Sequence, residues 1–107
     1  MKGNVVAQLS VVPIGTGDAS LGHYVVSCLK VLKDRNDLSY QLTPMGTIIE
    51  GPIDKVFEVT RQMHEIPFDE GVSRVVTTLK IDERRDKPFS MSGKVESVVK
   101  LDPSIKT

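Results

Sequence analysis

Strand-period and helix-period segments follow one another along this 107-residue chain in the order strand, helix, strand, strand, helix, strand, helix. With right-handed crossovers, that order predicts an α+β domain of ferredoxin-like βαββαβ plan: a four-stranded antiparallel sheet, two helices on one face, and an extra C-terminal helix. The length gives room for one modest core, and no repeat, low-complexity tract or linker interrupts it, so residues 1–107 are expected to form a single domain. Hydrophobic residues at 39% and charged residues at 26% fall in the globular range and argue against disorder.

Residues 5–12 form the first predicted strand, with Val5, Ala7, Leu9 and Val11 on one face and Val6, Gln8, Ser10 and Val12 on the other. Pro13-Ile14-Gly15-Thr16-Gly17-Asp18 breaks the alternation, and Ser20 is the expected N-cap of a helix. From Leu21 the apolar period lengthens: Leu21, Tyr24, Val25, Cys28, Leu29 and Leu32 share one helical stripe. Residues 38–43 and 47–50 make a hairpin across the turn Pro44-Met45-Gly46. Gly51-Pro52 opens the second helix, where the missing proline N–H costs nothing, and its stripe is expected at Ile53, Val56, Phe57, Thr60, Met63 and His64. Pro67 is expected to kink or end that helix early, and Gly71 to stop it. Residues 72–82 alternate as the last strand. The charged turn Asp82-Glu83-Arg84-Arg85-Asp86-Lys87-Pro88 then leads to a helix over about 90–100.

Composition removes several classes of function. Fourteen Lys and Arg balance fourteen Asp and Glu, which gives no electrostatic case for nucleic acid or membrane. No apolar run is long enough to span a bilayer, and no secretory signal stands before the first strand; a cytoplasmic location is expected. One cysteine excludes an intrachain disulfide, and two histidines do not make a three-residue zinc site, so no metal or other cofactor is expected. No nucleophile and base show the spacing of a catalytic family, and the expectation is a protein that is not an enzyme. An RNA-binding module of this fold would need exposed aromatics, yet the outward positions are expected to be Val6, Gln8, Ser10 and Thr47. An acylphosphatase-like activity would need an arginine-bearing phosphate loop, which residues 15–20 lack.

Two helices cover only one face of a sheet. The other would carry Val6, Gln8, Ser10, Val12, Ser39, Gln41, Thr43, Arg74, Val76 and Thr78, a surface with apolar patches that suits association of subunits. Candidate chemistry clusters at three places. Residues 15–20, with Thr16 and Ser20, form either an anion-holding loop at a helix start or a plain turn. Met45, Gly46, Thr47 and Glu50 bring a thioether, a bare backbone, a hydroxyl and a carboxylate to one hairpin, for a ligand or simply for a turn. His64, on a buried stripe, is a hydrogen-bonded structural histidine or a ligand group. Arg84 and Arg85 suit an ion-pair network better than an anion clamp.

Taken in order, Val11-Val12-Pro13-Ile14-Gly15-Thr16 with Ser20 and Tyr24-Val25, Met45-Gly46-Thr47 with Glu50, His64-Glu65, and the run 77–86 resemble the thiamine-binding protein family of YkoF-like, ferredoxin-fold domains. The resemblance covers about residues 5–100. It implies a small cytoplasmic protein that forms homodimers or homotetramers through the open sheet face and binds thiamine or its hydroxymethylpyrimidine half. A site for thiamine needs a flat apolar wall, hydrogen bonds to the pyrimidine edge and a negative group near the thiazolium. Carried onto this chain, the resemblance implies Met45 with Ile48 as wall, Gly46 beside them, hydroxyls from Ser10, Thr16, Ser20, Thr47 and Thr78, charge from Glu50, and His64 orienting a polar edge. A regulatory or structural oligomer that binds another small anion is the competing expectation.

Overall fold

The computed structural model describes residues 3–87 and 90–107. Its elements are β1 (Asn4–Ile14), α1 (Gly22–Lys33), β2 (Ser39–Thr43), β3 (Gly46–Pro52), α2 (Ile53–Asp69), β4 (Arg74–Glu83) and α3 (Met91–Leu101). Met1 and Lys2, expected before the first strand, and Pro88, expected in the charged turn, lie outside the described residues. The strands pair antiparallel in the order β2-β3-β1-β4, which is the expected βαββαβ arrangement with one helix added.

Alternation along β1 sends Val5, Ala7 and Leu9 to one face, where each is almost wholly buried. Cross-strand partners share a face, so Ile49 of β3 and Leu79 and Ile81 of β4 join them. α1 and α2 cover this face and complete the core with Cys28, Leu32, Val56, Val59 and Met63. The buried row of α2 is Val56, Val59, Met63 and Pro67, which corrects the expected stripe: Phe57 is 53% exposed. Spacings of three and four residues fit either row, and packing against the sheet selects the one through Val59.

Pro67 does not shorten α2, which runs on to Asp69. A proline at this position withholds one intrahelical hydrogen bond, the one to the carbonyl of Met63. The Cys28 thiol of α1 donates to that carbonyl instead, at 3.5 Å. The helix then closes on Gly71, as expected: Gly71 has φ +95°, its N–H donates to the Phe68 carbonyl, and the Val72 N–H donates to the Pro67 carbonyl. Those two bonds form a Schellman close.

The opposite face carries Val6, Gln8, Ser10, Val12, Ser39, Gln41, Thr43, Arg74, Val76 and Thr78, as alternation predicts. Thr47 is the exception. It pairs with Leu9 on the helix side and is 5% exposed, while Ile48 takes the outward place. α3 stands over part of this face, held by an ion pair between Lys94 and Asp82, and buries none of its own residues. β1 pairs with β4 from Val5 to Ile14 but with β3 only as far as Leu9, so the far ends of β1 and β4 continue as a two-stranded ribbon. Pro13 sits in that ribbon, where β1 has a single neighbour.

Candidate functional site

A cavity of about 340 Å³ opens where β3 stops and the ribbon goes on. Its floor is the stretch of β1 from Leu9 to Val12, its far wall the β2–β3 turn with Leu42 and Thr47, and its roof the first half of α1. The sequence of α1 explains the gap. Cys28 and Leu32, in its second half, are buried, whereas Val25 is 37% exposed and Leu21 and Tyr24 only half-buried. The helix thus packs down at one end and overhangs at the other, leaving Leu21, Tyr24, Val25 and Leu29 facing the space below.

The turn is shaped to border this cavity. Thr43 Oγ1 donates to the Gly46 carbonyl at 2.8 Å and accepts from the Met45 N–H at 3.4 Å. Gly46 adopts φ +155°, and a Cβ there would lie 2.8 Å from the Leu9 carbonyl oxygen. Only glycine lets the turn approach β1 so closely. Met45 is 80% exposed and lies at the mouth.

Thr47 is the informative wall residue. Its hydroxyl has no hydrogen-bond partner among the described residues. No fully buried side-chain nitrogen or oxygen among them is unpaired either. The Thr47 hydroxyl therefore opens on the cavity that the residue lines, as a free donor and acceptor in an apolar wall. Cys28 also lines the cavity, but burial, with a smaller push from the Glu70 charge, raises its thiol from 9.0 to about 11. It is held neutral and committed to the Met63 carbonyl. None of the described lining residues carries a formal charge.

Of the residues singled out from sequence, Ser10, Met45, Gly46 and Thr47 border this cavity. Ser10 does so from β1, with alternation turning its side chain to the open face beside Thr78. Glu50 pairs with Val6 on that open face, away from the cavity, so it does not stand beside Thr47 as the hairpin spacing suggested. Thr16 and Ser20 are not brought to the cavity. Thr16 Oγ1 donates to the Asp18 carbonyl and accepts the Asp18 N–H, and Asp18 Oδ1 accepts the Ser20 N–H. The loop consumes its own polar groups, with Gly15 and Gly17 at φ near +77°. Ser20 is not the N-cap either: α1 starts one residue later, with Leu21 in the cap position and no side-chain cap.

His64 lies outside the cavity lining. Its Nδ1 is 2.6 Å from the Thr77 hydroxyl and its ring meets the edge of Phe68, the hydrogen-bonded structural arrangement. Arg84 pairs with Asp86 and Arg85 with Glu83, both at 2.6 Å, so the charged turn is a surface ion-pair network. The lining residues not expected as site residues include Leu9, Val11, Tyr24, Leu29, Leu42 and Met63. Tyr24 and Leu29 were visible as members of the α1 stripe, but nothing in a helical period tells a packed half from an overhanging one.

The family model described as thiamine-binding protein matches residues 7–99. The chain belongs to the thiamine-binding protein family. Among its relatives, the UPF0045 protein YqgV of Bacillus subtilis is 42% identical over 98 residues, covering 89% of this chain and 94% of that one. A UPF0045 protein of Staphylococcus xylosus is 44% identical over 98 residues, covering 89% and 92%. The solved structure of MJ1052 from Methanocaldococcus jannaschii superposes with TM-score 0.81 at 36% identity, over 89% of this chain and 95% of that one. Membership of a thiamine-binding family supports a small-molecule binding role, and the cavity at the β2–β3 turn is a place of fitting size for one. No helix among the described residues is long and apolar enough to cross a membrane.

Proposed function

We propose that the chain binds thiamine through its hydroxymethylpyrimidine half, or that pyrimidine alone, in the cavity beneath α1, without transforming it. The observation that carries this reading is an uncharged, largely apolar cavity of about 340 Å³ with a free hydroxyl, Thr47, in its wall. A flat, neutral aminopyrimidine matches that lining: its faces meet Leu9, Val11, Leu29 and Met63, and its edge offers nitrogen atoms to Thr47. A thiazolium would lose hydration there with no counter-charge, because Glu50 lies on the other face of the sheet. The cationic half therefore stays at the mouth, beside Met45.

No base borders the cavity to activate its hydroxyls, and its one thiol, Cys28, is held protonated far above neutral pH. Recovery of the ligand unchanged is the corresponding expectation. Assembly fits the same reading: α3 leaves bare the part of the open face that carries Val12, Ile14 and Val76, the last 45% exposed, and a second copy of the chain would bury it. A cytoplasmic homodimer or homotetramer is the proposed working form.

Isothermal calorimetry with thiamine, hydroxymethylpyrimidine and the isolated thiazole tests the proposal. Thiamine and the pyrimidine should bind and the thiazole should not. Thr47→Val, which removes the hydroxyl and keeps the shape, should weaken both ligands while leaving the fold as stable or more so, since it deletes an unpaired polar group. Absence of heat with millimolar thiamine and pyrimidine would overturn it, as would tight binding of the thiazole alone. Light scattering tests assembly, and a monomer at micromolar concentration would refute it.

A further inference from the structure

The face of the sheet opposite this cavity has a cleft of its own. Strand register places Gln41 of β2, Ile48 of β3, Gln8 of β1 and Lys80 of β4 side by side in one row across all four strands. Glu50, Val6 and Asp82 lie side by side in the adjoining row. α3 stands above with Met91, Lys94 and Val95, and between helix and sheet remains a cleft of about 720 Å³. A helix packed for stability alone would settle onto the sheet and bury its apolar side. α3 buries no residue, and Val95 is 47% exposed. It acts as a wall, tethered by Lys94 on Asp82.

The polar groups of the floor are not used by the fold. The amides of Gln8 and Gln41 and the ammonium of Lys80 make no hydrogen bond or ion pair among the described residues. Asp82, the carboxylate beside Lys80, is already offset by Lys94. Lys80 therefore has no ion-pair partner in its row, and the Gln8 amide beside it is a second N–H donor. Val6 and Ile48 below and Met91 and Val95 above supply apolar surface, and the Glu83 carboxylate that also lines the cleft is paired with Arg85.

We propose that this cleft is a second binding site, for a small organic anion with a flat apolar body. The anionic group meets the Lys80 ammonium and the Gln8 amide, and the body lies between Ile48 and the thioether of Met91. The proposal does not depend on the reading of the cavity beneath α1, since the two lie on opposite faces of the sheet.

The test is an NMR titration of the full ¹⁵N-labelled chain with benzoate and with phenyl phosphate, which distinguish a carboxylate from a phosphate ester, and with neutral benzamide as control. One of the anions should produce saturable shifts at Val6, Gln8, Ile48, Lys80 and residues 91–95, with benzamide binding at least about tenfold more weakly. Lys80→Met, at an exposed position, should weaken the anion about tenfold by removing the charge. Met91→Ala should weaken it too, by removing the upper wall. Neither anion shifting these residues at millimolar concentration would overturn the proposal. So would equal binding of benzamide, or a loss in Lys80→Met with no loss in Met91→Ala, which would mean simple ion pairing at a surface lysine.

Discussion

The link between Cys28 and Pro67 makes a quantitative prediction about stability. Pro67 lacks the N–H that would bond the Met63 carbonyl, and the Cys28 thiol supplies a donor at 3.5 Å across the α1–α2 interface. Replacing Cys28 by alanine has two consequences. It removes a buried sulfur of about one methylene's worth of apolar surface, costing roughly 0.8 kcal/mol. It also leaves the Met63 carbonyl without its donor, costing roughly 1 kcal/mol, near the low end for a buried polar group because a thiol is a weak donor. In a Pro67→Ala background the alanine N–H takes that carbonyl as an ordinary helical bond, so only the first cost remains. The four variants of the cycle, compared by urea denaturation at one fixed protein concentration, should show a coupling of about 1 kcal/mol between residues 28 and 67. Equal losses for Cys28→Ala in both backgrounds, within about 0.3 kcal/mol, would refute the idea that the thiol substitutes for the missing proline donor.

Three other outcomes follow from the same geometry. Because the folded Cys28 thiol is raised from 9.0 to about 11, mainly by burial, the stability it contributes is complete below pH 9 and is lost as pH rises toward 11; denaturation between pH 8 and 11 should show a fall that Cys28→Ala flattens. Glu50→Gln should leave the affinity of the cavity for thiamine unchanged, and a large loss in calorimetry would mean that the ligand reaches the opposite face. Gly46→Ala should destabilise the fold by about 1–3 kcal/mol and weaken binding, because its Cβ would press on the Leu9 carbonyl at 2.8 Å and φ is +155°; a thermal midpoint equal to that of the parent would show that the turn yields freely.

Order and alternation make the architecture legible in the sequence. Ten residues assigned to the open face lie there, because a period of two leaves no freedom once Val5, Ala7 and Leu9 are taken as inward. Thr47-Ile48-Ile49-Glu50 was the weak point. Its two adjacent isoleucines give each face one apolar residue, so the strand itself does not declare which side is inward; pairing with Leu9 decides it, and sends Thr47 in and Glu50 out. The α2 stripe failed for a similar reason, since residues three and four apart make two overlapping rows. The early end expected at Pro67 does not occur, and the sequence hides why: the compensating donor is 39 positions away and adjacent only in the fold. Site residues were legible where the backbone itself is the constraint, as at Gly46, and illegible where the site is a gap: the overhang of α1 leaves no mark on its period.

That division of the sheet bears on ligand chemistry more than any single residue does. A hairpin that presented Met45, Thr47 and Glu50 together would suit a whole cationic ligand, with its charge met by the carboxylate. The register separates them by the thickness of a sheet: hydroxyl and apolar wall on one side, Glu50 with Lys80 and Asp82 on the other. Charge in the uncharged cavity would go uncompensated, and burying it costs several kcal/mol. The electrostatic choice of ligand thus follows from where β1 places Leu9. A one-residue slip of β3 against it would turn Glu50 inward and Thr47 outward, and invert the chemistry that each face offers.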